Sequence, residues 1–162
     1  MTEQAGAQAD ERYEVSRQVA ATPAEVFALL CTPEGHVRID SSGMLQSAEG
    51  DPVRAVGDTF LVHMDRESLG DLPMGPYDVT VIITGFEQDA LLEWTISGTV
   101  QPPIQHLYGY RLAPSGTGTL VTSYYDWSRI LPRYRERNLF PVIPGTALKA
   151  TLGILARTLR AG

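Results

Sequence analysis

Four strand-like runs crowded between residues 77 and 127 constrain this chain more than any other feature. They read Tyr77-Asp78-Val79-Thr80-Val81-Ile82-Ile83, Leu91-Leu92-Glu93-Trp94-Thr95-Ile96-Ser97, His106-Leu107-Tyr108-Gly109-Tyr110-Arg111-Leu112 and Leu120-Val121-Thr122-Ser123-Tyr124-Tyr125-Asp126-Trp127. Each is rich in β-branched and aromatic residues, which suit a pleated, half-buried surface. The separators, residues 85–89, 98–103 and 114–118, carry the glycines and prolines of turns. They are too short for the crossover that parallel strands need, so the runs pair as an antiparallel meander.

Side chains two apart share one face of a strand. One face therefore gathers Tyr77, Val79, Val81 and Ile83; Leu92, Trp94 and Ile96; His106, Tyr108, Tyr110 and Leu112; and Val121, Ser123, Tyr125 and Trp127. The other gathers Asp78, Thr80 and Thr84; Glu93, Thr95 and Ser97; Arg111; and Thr122, Tyr124 and Asp126, and is mostly polar. The sheet is half-buried, and its inner face is aromatic with many polar tips.

Around this meander the chain reads simply. Residues 13–20 alternate as a first strand, and Thr22-Pro23-Ala24-Glu25 is a capping box that opens a helix ended by Pro33. Residues 35–44 suit a second short helix, 44–48 a weak strand and 58–67 a further strand, followed by a Gly/Pro-rich loop over 68–76. After Trp127, three prolines within residues 128–145 enforce an irregular covering segment. A last helix then carries Leu148, Leu152, Leu155 and Leu159 at helical spacing. The fold class is α+β: a curved antiparallel sheet of about seven strands wrapped around one long C-terminal helix, with two short helices after the first strand. Residues 1–12 are expected as a disordered tail and 13–162 as a single domain.

Seven strands about 4.8 Å apart make a sheet about 34 Å wide, whereas a helix is about 10 Å across. One helix covers part of that face, and a chamber can remain beside it. The chain of 162 residues carries a net charge of −6, and it offers no basic stripe for nucleic acid. A lone Cys31 allows no internal disulfide. With no signal-peptide core and no apolar run of about 20 residues, a cytoplasmic protein without integral membrane association is expected.

The residues Val19-Ala20-Ala21-Thr22-Pro23-Ala24-Glu25-Val26-Phe27-Ala28-Leu29-Leu30, Asp40-Ser41-Ser42-Gly43-Met44 and Thr122-Ser123-Tyr124-Tyr125-Asp126-Trp127-Ser128 resemble the START-like (SRPBCC, helix-grip) superfamily, and within it the polyketide cyclase/dehydrase-like branch. The resemblance runs from about Tyr13 to Leu159. It implies a central cavity for a small hydrophobic molecule, such as a lipid, a sterol or an aromatic polyketide. Asp40, Met44, Met64, Tyr77, Trp94, Tyr108, Tyr110, Ser123, Tyr125 and Trp127 are the expected ligand contacts. The alternatives are a cyclase or aromatase with His106 as catalytic acid/base and tyrosines clamping carbonyls, and a protein-interaction module with a filled core. Characterised cyclases of this kind place an arginine or other strong donor deep in the pocket, and here Arg17 is the only arginine on an inner strand row. A monomer or homodimer is expected, with no cofactor.

Other candidates are weaker. His36 with Asp40 and His63 with Asp65 could each supply two metal ligands, but neither pair has a third at suitable spacing, so no metal is expected. The cluster Arg129, Arg133, Arg135 and Arg137 suits either an anionic partner at the chamber mouth or a solvated loop. No Gly-x-Ser-x-Gly elbow is present.

Overall fold

The computed structural model describes residues 11–67, 70, 75–98 and 100–161. In chain order the elements are β1 (Arg12–Val19), α1 (Pro23–Cys31), α2 (Pro33–Ile39), β2 (Leu45–Glu49), β3 (Thr59–Asp65), β4 (Pro76–Glu87), β5 (Leu91–Gly98), β6 (Leu107–Ser115), β7 (Gly118–Asp126), α3 (Pro132–Arg135) and α4 (Gly145–Ala161). Seven strands among the described residues form one sheet in the order β1-β7-β6-β5-β4-β3-β2, every pair antiparallel. This is the meander and grip expected from the sequence. The expected tail lies outside the described residues except for Glu11 and Arg12, and Arg12 already belongs to β1. Most of the loop expected at 68–76 lies outside them too.

α1 opens with the capping box in full: the Glu25 amide donates to Thr22 Oγ1 at 3.2 Å and the Thr22 amide donates to Glu25 Oε1 at 2.9 Å. Its successor departs from expectation. α2 spans Pro33–Ile39 rather than 35–44, because Thr32 both ends α1 and caps α2. The Thr32 hydroxyl donates to Leu29 O at 2.8 Å and accepts from the Gly35 amide at 3.2 Å. Gly35 permits this junction, since a Cβ there would lie 2.0 Å from Leu29 O.

The inner rows fall as the alternation predicts: Val79, Val81, Ile83, Leu92, Tyr110, Leu112, Val121, Ser123 and Tyr125 are all buried. β4, however, does not stop at Ile83. A bulge between Ile83 and Gly85 carries it on to Glu87, and Phe86 then packs edge-on against Phe27 with ring centroids 5.2 Å apart. A bulge adds a residue without ending the ladder, so Gly85 kinks the strand instead of terminating it.

The outer face holds one surprise. Tyr124 is buried there, its ring lying over Gly109 on the neighbouring strand, where an added Cβ would meet the ring at 2.2 Å. The Arg12 guanidinium covers that ring 4.1 Å from its centroid, and the hydroxyl donates to a Glu93 carboxylate oxygen at 2.6 Å.

α4 buries Leu148, Leu152 and Leu155 and packs on β1, β7 and α2. It covers the β1 and β7 side of the inner face. The inner face of β3 to β6 is left to enclose a space, roofed by α2 at one end and by the 137–143 segment at the other.

Candidate ligand chamber

Two lobes of one elongated cavity occupy that space. The smaller, about 140 Å³, lies under α2 and α4, and the larger, about 380 Å³, lies under the 137–142 segment. Met44, Met64, Val79, Ile96 and Tyr108 wall both lobes, so they adjoin. The larger falls within the 300–1,000 Å³ typical of small-molecule sites, and like them its wall is mostly apolar with a few convergent polar groups.

Most of the residues picked from the sequence meet here. Asp40, Met44, Met64, Trp94, Tyr108, Tyr110 and Ser123 line the smaller lobe, and Tyr77 and His106 line the larger. Tyr125 and Trp127 line neither. They lie behind the wall in a separate aromatic cluster with Ile130, Tyr134 and Leu148, where Trp127 packs edge-on against Tyr13 at 5.0 Å. The reason is depth: inner-face parity fixes which way a side chain points, but the chain after β7 folds over its end and fills that corner. Asp40 borders the smaller lobe with its carboxylate already engaged by its own loop. It accepts from the Ser42 amide at 3.0 Å, the Ser42 hydroxyl at 2.7 Å and the Gly43 amide at 2.9 Å.

An unbroken run of rings crosses the wall. His36 meets Trp94 edge-on at 4.8 Å, Trp94 stacks on Tyr108 at 5.8 Å, and Tyr108 contacts both His106 at 5.1 Å and Tyr125 at 4.7 Å. Burial pushes the phenols of Tyr108, Tyr110 and Tyr125 well above their ordinary range, so all three stay protonated as hydrogen-bonding groups.

His106 is 1% exposed. Its Nδ1 is 2.6 Å from the Tyr125 hydroxyl, while its Nε2 has no hydrogen-bond partner among the described residues. Burial with no charged partner lowers its pKa to about 4, so the ring is neutral at physiological pH. The Tyr125 hydroxyl also meets Tyr108 and the backbone of Val142. His36, by contrast, is satisfied: its Nε2 is 2.7 Å from Leu30 O, and burial takes its pKa to about 4.

Sequence reasoning missed Arg66. It is 9% exposed and lines the larger lobe, with one guanidinium nitrogen 3.4 Å from Val142 O and another 3.6 Å from Met44 Sδ. The signal was present, for Phe60, Val62, Met64 and Arg66 continue one period-two row. Arg17, the inner-row arginine that the sequence singled out, is exposed at α4, near Gly153, and lines neither lobe.

The remaining candidates fall elsewhere. His63 sits on the outer face between Glu49 and Asp78, with Nδ1 2.8 Å from Asp78, and these hydrogen bonds, that to Glu49 foremost, raise its pKa. Among the described residues no group of three or more His, Cys, Asp or Glu is placed to hold a metal ion. Burial raises the Cys31 thiol to about 11, which removes its thiolate at neutral pH. None of the helices among the described residues is long and apolar enough to cross a membrane.

Comparison with known proteins adds the following. No family model matches the chain. It is 30% identical over 118 residues to the uncharacterized protein Rv0088 of Mycobacterium tuberculosis, a match that covers 72% of this chain and 47% of that protein. The chain thus matches about half the length of that relative. Among solved structures it is similar to protein CV1439 from Chromobacterium violaceum (TM-score 0.65, 13% identity, 93% of this chain and 97% of that one). It is also similar to the Aha1 dimer from Colwellia psychrerythraea (TM-score 0.59, 15% identity, 91% and 95%). Likeness at that identity concerns the fold.

Proposed function

We propose, from the premise that this chain carries the helix-grip fold of the START-like superfamily, that it is a binding protein holding one small, largely apolar molecule in the chamber between sheet and C-terminal helix. The observation that carries this reading is the larger lobe, about 380 Å³ and walled mainly by apolar and aromatic side chains at the level where α4 leaves the sheet uncovered. A core of this size packs to crystal-like density unless something else occupies the space, and a filled-core interaction module has no use for the void.

Binding is favoured over cyclisation by the state of His106. A general acid or base works best with a pKa near the operating pH, and burial takes this imidazole to about 4. It is a poor proton donor in catalysis and a good neutral hydrogen-bonding group. The buried Arg66 matches one expectation of a cyclase, the deep arginine, but the imidazole that lines the same lobe, His106, is held neutral by burial.

The test is titration with N-phenyl-1-naphthylamine, whose emission rises in apolar surroundings. Saturable binding at one probe per chain, with energy transfer from Trp94, is the expected result. Absence of saturable binding would sink the chamber reading.

A further inference from the structure

The orphaned nitrogen of His106 specifies more than an apolar cavity. A neutral imidazole carries one N–H and one lone pair, and a phenol offers one proton and accepts at its oxygen. The Tyr125 oxygen is met by Val142's backbone, by the Tyr108 hydroxyl and by His106 Nδ1. Every hydroxyl proton is used within this network when Tyr108 donates to Tyr125, Val142 N–H also donates to Tyr125, and Tyr125 donates to Nδ1. In that arrangement Nδ1 is the lone-pair nitrogen and the ring proton sits on Nε2, which has no hydrogen-bond partner among the described residues.

We propose that the larger lobe receives a molecule bearing a carbonyl or carboxylate oxygen, which accepts a hydrogen bond from His106 Nε2–H while the apolar body lies along Met44, Met64, Val79 and Ile96. This rests on the chamber reading and names the chemistry of its ligand. Nε2 is covered in the empty protein, so the oxygen arrives with a shift of the Phe140 side chain, which packs edge-on against the imidazole at 5.8 Å and lines the same lobe. An N–H left unmet in an apolar interior carries a desolvation penalty that an acceptor removes. A site built this way rejects an analogue lacking the acceptor more strongly than a purely apolar pocket does. Tyr125 is a positioning residue here: it lines neither lobe and acts on the ligand only through the tautomer it fixes on His106.

Two probes of nearly one shape decide the matter: 2-acetylnaphthalene and its methylene isostere 2-isopropenylnaphthalene, titrated calorimetrically. The wild-type chain is expected to bind the ketone about tenfold more tightly, equivalent to about 1.4 kcal/mol. In His106→Phe that preference should vanish, the two probes then binding with equal affinity. Equal affinities in the wild type, or a preference that survives in His106→Phe, would overturn the inference and leave the chamber standing. Failure of both probes to bind would remove the chamber itself. Should the variant not fold, long-range ¹H–¹⁵N correlation on the wild type reads the tautomer directly. An Nε2–H ring whose ¹⁵N shift moves on adding the ketone supports the assignment, and an Nδ1–H ring refutes it.

Discussion

Two imidazoles, His36 and His106, are buried as neutral rings, and each has a consequence for stability against pH. Their native-state pKa values lie near 4, against about 6.5 for an unfolded histidine. Between those values the unfolded chain binds protons that the native chain refuses, so stability falls as pH drops from 6.5 toward 4. His63 works in the other sense, because its pKa is raised: its contribution is full below about 6.5 and fades as pH climbs through the higher native value. The expected outcome for His36→Phe is that the loss of stability between pH 7 and pH 4.5 shrinks by on the order of 2 kcal/mol relative to wild type, measured by urea unfolding at each pH. A gap of unchanged size would mean that His36 is not held neutral. Cys31 needs no such test, for a thiol raised to about 11 does not titrate in this range.

At the scale of elements, the parts that could be read from the sequence were those whose local chemistry agrees with their tertiary role. The Thr22 and Glu25 capping box, the Leu148–Leu152–Leu155 stripe and the inner rows of β4 to β7 each state their own structure. Gly85 and Thr32 did not. A glycine in a strand reads equally as a turn or a bulge, and the partner strand decides. A threonine just before a proline can close one helix and open the next only where Gly35 lets the backbones approach. Tyr124 was invisible for a similar reason, since its burial depends on the side chain missing from Gly109 across the strand pair. Gly109→Ala is therefore expected to cost 1–3 kcal/mol, roughly the penalty of overpacking, seen as a lower denaturation midpoint at unchanged slope. In a Tyr124→Ala background the same change should cost much less, because the obstructing ring is gone. Additive costs would contradict the packing account.

For the whole molecule, the chamber is a product of mismatch between a seven-stranded sheet and a helix that covers only its β1 and β7 side. That mismatch could be inferred from counting strands, and so could most of the wall. The cavity's polar end could not, because Arg66 follows the end of β3 and the roof over His106 comes from residues 139–142, far away in sequence. An unfilled space forfeits dispersion contacts along its lining, so this fold keeps a site at the expense of stability. Filling the space should reverse the exchange. Ile96 is half-buried and borders both lobes, and Ile96→Trp places an indole into empty volume rather than into packed neighbours. The variant is expected to melt higher, by about 2–4 °C for each kcal/mol that the added burial contributes, and to lose saturable binding of N-phenyl-1-naphthylamine. A lower melting temperature with the probe still bound would mean that Ile96 faces a packed core and that the ligand, if any, lies elsewhere.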